Sequence, residues 1–219
     1  MSKVRCSITL SLDGYVAGPN QSADNPLGEG GFGLHQWVFP TKTFLAMHGD
    51  GSGGETGIND DVLREGFENV GATIMGRNMF GPVRGPWSPD PWKGWWGDNP
   101  PYHHPVFVLT HHARDPLPMQ GGTTFHFVTD GIEPALAAAK KAAGGKDVTL
   151  GGGASLIQQY LSAGFLDEIE MHVVPVLLGR GERLLDRVDP KKITLEPLRT
   201  LEGPGVTHLK YRVTKNSAP

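Results

Sequence analysis

The chain of 219 residues holds one cysteine. No internal disulfide can form, so a cross-linked secreted scaffold is excluded. Cys6 lies inside an apolar strand-like run and reads as a buried structural thiol. No stretch of 18 apolar residues occurs, which excludes a membrane-spanning helix. Met1 to Leu10 lacks the layout of a signal peptide. Neither charge sign dominates: 20 Lys and Arg face 23 Asp and Glu, a formal net charge of -3. Phosphate backbones demand clustered cations, so no nucleic-acid partner is expected. Together these absences point to a cytoplasmic protein whose partner is a small molecule.

Glycine and proline are abundant, at 31 and 18. They gather in Gly28 to Gly57 and Gly81 to Pro105. We read these as long loops, at about 19–57 and 81–105, set into one domain spanning 1–219. Loops of that length serve as lids or binding loops. Four of the five tryptophans lie in the second, between Gly85 and Gly97. That segment is either a lid or interface for a planar partner, or a rigid cap on the core.

Between the loops, apolar runs alternate with helical patterns. Strands are expected at Val4–Leu12, Ala72–Met75, Pro105–Thr110, Thr124–Thr129, Asp147–Leu150 and Glu168–Leu177. Helices are expected from Asn59 or Asp60 to about Asn69, over Ile132–Ala143, and over Ala154–Ala163. A short helix broken near Pro40 fits Leu34–Met47. Two final strands, Ile193–Leu201 and Val206–Val213, form a hairpin through Glu202–Gly205. Alternating strands and helices imply an α/β fold with a mostly parallel sheet and an antiparallel edge.

Ligands of such sheets bind beyond the carboxyl ends of the parallel strands. Three of those ends are polar: Gly76-Arg77, Thr110-His111-His112, and Gly151-Gly152-Gly153 before a helix. Glycines bring a pyrophosphate close to free helical N–H groups, and the helix dipole favours the anion. Arg77 can fork onto a further phosphate. The set fits a dinucleotide carrying an extra phosphate, although the G-x-G-x-x-G pattern is absent. A tight strand–helix turn also accounts for the glycines alone. Adjacent histidines, at His103-His104 and His111-His112, have no partners at metal-ligand spacing, so no metal is expected.

Five segments in order resemble the dihydrofolate reductase superfamily, and within it the RibD C-terminal-like, riboflavin-biosynthesis reductase branch. They are Ser11–Gly18 (S-L-D-G-Y-V-A-G), Ile74–Phe80 (I-M-G-R-N-M-F), Val106–Thr110, Leu150–Ala154 (L-G-G-G-A), and Asp167–Ile169 with Val174–Gly181. The resemblance implies a three-layer fold and NADPH as cofactor. By position, Gly76, Arg77, Asn78 and Met79 would hold the adenine side. Arg77 and Thr110–His112 would meet the 2′-phosphate. Gly151, Gly152, Gly153, Ala154 and Ser155 would take the pyrophosphate. Ala17 and Gly18 would lie beside the nicotinamide, with Thr9 and Leu10 below. Adjacent glycines in this group often carry an unusual peptide bond.

The sequence also departs from folate reductases. Gly33 to Phe39 has no carboxylate to bind and protonate a pteridine, which argues against folate. Asp13 is the nearest acid and doubles as a turn residue; Tyr15 or a water is an alternative proton source. His35 and Trp37 are candidates to line the substrate site. The fused zinc deaminase of riboflavin enzymes is excluded by the single cysteine. The expected activity is NADPH-dependent hydride transfer to a small planar or carbonyl/imine substrate. The competing reading is a nucleotide-binding protein of the same fold with little activity, or one holding a flavin. A homodimer is expected, joined through the long strand Ile169–Leu177 and the C-terminal hairpin.

Overall fold

In the computed structural model, which describes residues 2–49, 53–82, 84–89 and 91–216, the alternating pattern builds one large sheet. The chain runs β1 (Val4–Ser11), β2 (Tyr15–Ala17), a 3-10 turn (Gly31–His35), α1 (Lys42–Met47), α2 (Ile58–Phe67), β3 (Val70–Gly76) and α3 (Arg77–Phe80). It continues through β4 (Pro105–Leu109), β5 (Leu117–Pro118), β6 (Thr124–Val128), α4 (Ile132–Ala143), β7 (Asp147–Leu150) and α5 (Ala154–Ala163). It closes with β8 (Glu168–Val174), β9 (Glu182–Arg183), β10 (Ile193–Gly203) and β11 (Val206–Lys215). The sheet order is β10-β11-β8-β1-β7-β3-β4-β6-β5. The six strands from β8 to β6 are parallel. Antiparallel β10 and β11 flank one side and β5 the other.

Side-chain alternation decides which face each element covers. On β1, Cys6 and Leu10 join a core that also holds Leu136, Ala139 and Ala143 of α4 and Ile157 and Leu161 of α5. The α4 residues recur at helical spacing, so the helix lays one apolar stripe on the sheet. It stops at Gly144, whose φ of 59° is the left-handed cap geometry that glycine adopts readily. Each fully buried Leu or Ile in this layer contributes roughly 1.5–3 kcal/mol. Cys6 is buried here and its thiol is pushed up to about 12 by burial, which leaves it inert.

The other face has two smaller cores. Leu34, Trp37, Val38, Val174 and Val206 form one. Met75, Phe80, Val106, Val108 and Phe125 form the other, roofed by Trp87, Trp92 and Trp96. The tryptophan segment is therefore a cap on the β3–β4–β6 part of the sheet. Gly81 is part of its design: a Cβ there would strike the Trp92 indole.

β8 ends at Val174, short of the Leu177 expected, and lies between β11 and β1, so its backbone is already paired on both sides. The free edge of that side of the sheet belongs to β10. The segment Leu34–Met47 is broken around Pro40 as expected, into a 3-10 turn ending at His35 and α1 beginning at Lys42, with Thr41 capping the Phe44 N–H. Among the described residues, no helix is long and apolar enough to cross a membrane.

Candidate active site

Three strand ends meet at one end of the sheet. β3 delivers Gly76, β4 delivers Thr110 and β7 delivers Gly151. Backbone bonds lock the first and third together: Gly76 N–H donates to Gly152 O at 2.8 Å, and Gly151 N–H to Ile74 O at 2.8 Å. The second is tied in by Arg77, whose Nη1 donates to Thr110 Oγ1 at 3.4 Å. That hydroxyl also accepts the His112 N–H at 3.2 Å. Burial, reinforced by Arg114 and Arg84, lowers the Arg77 guanidinium to about 10, so it stays cationic at neutral pH. Asn78, Met79 and His111 are exposed beside this group, and His112 is half-buried.

Two of the three glycines have local reasons. A Cβ at Gly151 would press to 3.3 Å on Thr73 Cγ2. Gly152 has a φ of +95°, a conformation that side chains resist. Gly153 has neither constraint: its φ is -81° and a Cβ would meet nothing within 4 Å. The Gly152–Gly153 peptide is cis. α5 begins at Ala154, and its first N–H groups have no intrahelical acceptor. Ser155 is exposed at this helix start, next to the open space in front of Gly153.

At the end of β1 the candidate acid and phenol share one target. Asp13 Oδ2 accepts from Gly179 N at 2.7 Å and its Oδ1 from Leu178 N at 3.2 Å. Ser11 Oγ donates to Oδ1 at 2.5 Å. Tyr15 OH donates to Gly179 O at 3.2 Å. The Ser11 hydroxyl and the two N–H donors hold the Asp13 carboxyl down at about 2. The carboxylate form is the one that accepts these three bonds. Both side chains clamp the loop after β8. Gly18 is likewise explained internally: a Cβ would strike the Glu29 carbonyl, and one on Gly181 would strike Ala17 O. Ala17 is buried on β2, which pairs with β9.

Thr9 and Trp37 lie deeper. Trp37 Nε1 donates to Thr9 Oγ1 at 3.2 Å, so the Thr9 hydroxyl is committed to the indole. His35 stacks on Phe39 at 6.4 Å, and burial pushes its imidazole below the ordinary value. Trp37 also packs on two histidines the sequence reading missed. His172 and His208 sit 4.8 and 5.0 Å from its ring, and their Nδ1 atoms are 2.8 Å apart. The chain of bonds has one consistent direction. Asn59 Nδ2 donates to Pro204 O, so its Oδ1 accepts from His208 Nε2 at 3.1 Å. A neutral His208 then accepts at Nδ1 from His172, whose Nε2 accepts from Ser7 Oγ at 2.7 Å. Burial, with His208 next in weight, pushes His172 down to about 3; burial, then Arg199, takes His208 to about 4. Both rings are neutral. The only sequence signal was a histidine inside each of two strands.

The glycine turn before α5, the guanidinium on the neighbouring strand end and the clamped loop after β8 all lie at the carboxyl ends of the parallel strands. The RibD C-terminal domain family model matches residues 2–209. The chain belongs to that family. Like this RibD C-terminal domain, a riboflavin biosynthesis protein of Shewanella sp. PV-4 aligns over 97% of this chain and 99% of its own, with TM-score 0.60 and 20% identity. RibD of Acinetobacter baumannii aligns over 98% of this chain but 58% of its own, with TM-score 0.57 and 16% identity. Dihydrofolate reductase of Enterococcus faecalis, solved with NADP(H), aligns over 98% and 97%, with TM-score 0.51 and 13% identity. These likenesses show a dihydrofolate reductase-like fold. The uncharacterized protein YyaP of Bacillus subtilis (strain 168) is 37% identical over 87 residues, 39% of this chain and 45% of that protein. The match thus spans less than half of that curated relative.

Proposed function

We propose that this chain is an NADPH-dependent reductase acting on a small planar or carbonyl/imine substrate other than folate. Gly153 carries the reading: neither packing nor φ demands a glycine there, and open space lies in front of a helix start. A pyrophosphate held by Gly151–Ser155 supplies the missing reason. Arg77, with the Thr110–His112 turn, takes the 2′-phosphate, and Gly76, Asn78 and Met79 border the adenosine. Ala17, Gly18 and Thr9 form the nicotinamide side. NADPH supplies the hydride; the chain binds, orients and excludes water. With Asp13 ionised and holding Gly179, the proton comes from water at the cleft mouth.

His35 and Trp37 belong to the substrate side. That side is apolar: Leu12 and Leu177, just beyond the ends of β1 and β8, are 65% and 73% exposed, and Phe32 is 55% exposed. Gly33 to Phe39 holds no carboxylate, so an uncharged ring is favoured over a protonated pteridine. The enzyme works in the cytoplasm as a homodimer.

Titration of the purified protein, followed by nicotinamide fluorescence, tests this reading. NADPH is expected to bind at micromolar levels and NADH much more weakly. Arg77→Ala should erase the preference by removing a charged hydrogen bond of about 1.5–3 kcal/mol, or roughly 10- to 150-fold. No binding of either cofactor overturns the proposal.

A further inference from the structure

The tryptophan cap reaches the candidate cofactor site through one ring. Trp87 meets Phe80 and Phe127 edge to face, at 6.0 and 5.1 Å. Those contacts serve the core. Its remaining contacts do not. The Arg77 guanidinium lies 3.1 Å from the ring centroid, and that of Arg114 lies 4.8 Å from it. The indole Nε1 donates to His112 O at 3.0 Å. One side chain therefore binds the first residue of α3 and the turn after β4, the two arms that flank Thr110. Arg114 is anchored in turn by donating to Trp92 O at 2.6 Å. A third guanidinium, Arg84, donates to Gly81 O at the end of α3. The charges sense one another, since Arg114 and Arg84 both weaken Arg77.

Gathering like charges costs free energy unless a ligand of opposite sign uses them. Guanidiniums match phosphate oxygens in planar, bidentate fashion. A long Arg side chain gives up rotamer entropy when fixed. An aromatic face that holds it beforehand removes that cost from binding.

We infer that Trp87 is a specificity-determining residue, which holds Arg77 and Arg114 as a two-guanidinium clamp for a phosphomonoester at the β3–β4 strand ends. The inference rests on the proposed reading that this cleft takes a phosphorylated dinucleotide. It adds that the loop, through Trp87 and Arg114, sets the choice between phosphorylated and unphosphorylated cofactor.

The test compares NADPH and NADH dissociation constants for the full chain and three variants, with thermal melting recorded for each. Trp87→Ala is expected to lower the NADPH-over-NADH preference at least fivefold. Trp87→Phe keeps an aromatic face and should retain most of it. Arg114→Gln should lose preference with the ring intact. 2′-AMP should compete with NADPH more strongly than unphosphorylated adenosine in the unmodified protein, and should lose that advantage in Trp87→Ala; an advantage unchanged in Trp87→Ala counts against the clamp. A purely structural Trp87 would weaken both cofactors equally, and that outcome overturns the inference. So would full preference in both Trp87→Ala and Arg114→Gln. If the unmodified protein binds neither cofactor, or both alike, the parent reading fails instead.

Discussion

Single residues here are fixed by what lies one atom away. Gly18 is the sharpest case, because its missing Cβ makes room for the Glu29 carbonyl. A collision with backbone cannot be relieved by a rotamer change. Gly18→Ala should cost about 1–3 kcal/mol, the range for overpacking, seen as a lower midpoint in denaturant melts. Gly14→Ala is the control for φ alone, as nothing lies within 4 Å of its Cβ position. The histidine pair makes a prediction in pH. Unfolded imidazoles take up protons near their ordinary value of 6.5, whereas His172 and His208 resist until about 3 and 4. Below pH 6.5 the unfolded state binds more protons, so stability falls as pH falls. Above it the effect is absent. Thermal melting between pH 6.5 and 5, above most carboxylate titration, should show the decline. A His172→Leu/His208→Leu variant should show a flatter slope. An equal slope in both proteins would remove the pair as its source. These two residues were invisible beforehand because only pairing across β8 and β11 brings them together.

Elements differ in how far the sequence announces them. The bounds of α4, β7 and α5 emerge where a glycine pair or an apolar run marks each end. β2, β5 and β9 are two or three residues long, too short to show any period. β9 also pairs with β2 across more than 160 residues, a relation no local window contains. That Gly76-Arg77 and the Gly151–Gly153 turn share one end of the sheet was legible because strand, turn and helix follow directly in sequence. The contact of Trp87 with Arg77 was not, since loop geometry brings the ring there. Asp13 was read as a possible acid because its identity showed and its partners, Leu178 and Gly179, did not. The loop after β8 follows from that clamp. Asp13→Asn removes the negative charge that its N–H donors face, and Tyr15→Phe removes the bond to Gly179 O. Either variant should make 177–181 cleave faster in limited proteolysis, and the double variant faster still. Unchanged cleavage would contradict the clamp.

At the scale of the molecule, the candidate site lies at one end of the parallel strands and an open edge lies at one side of the sheet. Among the described residues the long strand with an open side is β10, and Leu198 on it is 41% exposed. A homodimer should therefore be sensitive to that strand. Sedimentation velocity is expected to report twice the chain mass, reverting to the monomer in Leu198→Lys. A monomer in the unmodified protein would end the dimer proposal.

The position of β1 in the sheet also has a consequence for biosynthesis. β1 is made before its partners β7 and β8, which begin at Asp147 and Glu168. Until those residues have been made, the strand destined for the centre has neither neighbour to pair with. Non-local pairing of this kind slows folding. The glycine turn at 151–155 follows β7 directly, so it takes shape together with the closing of the sheet around β1.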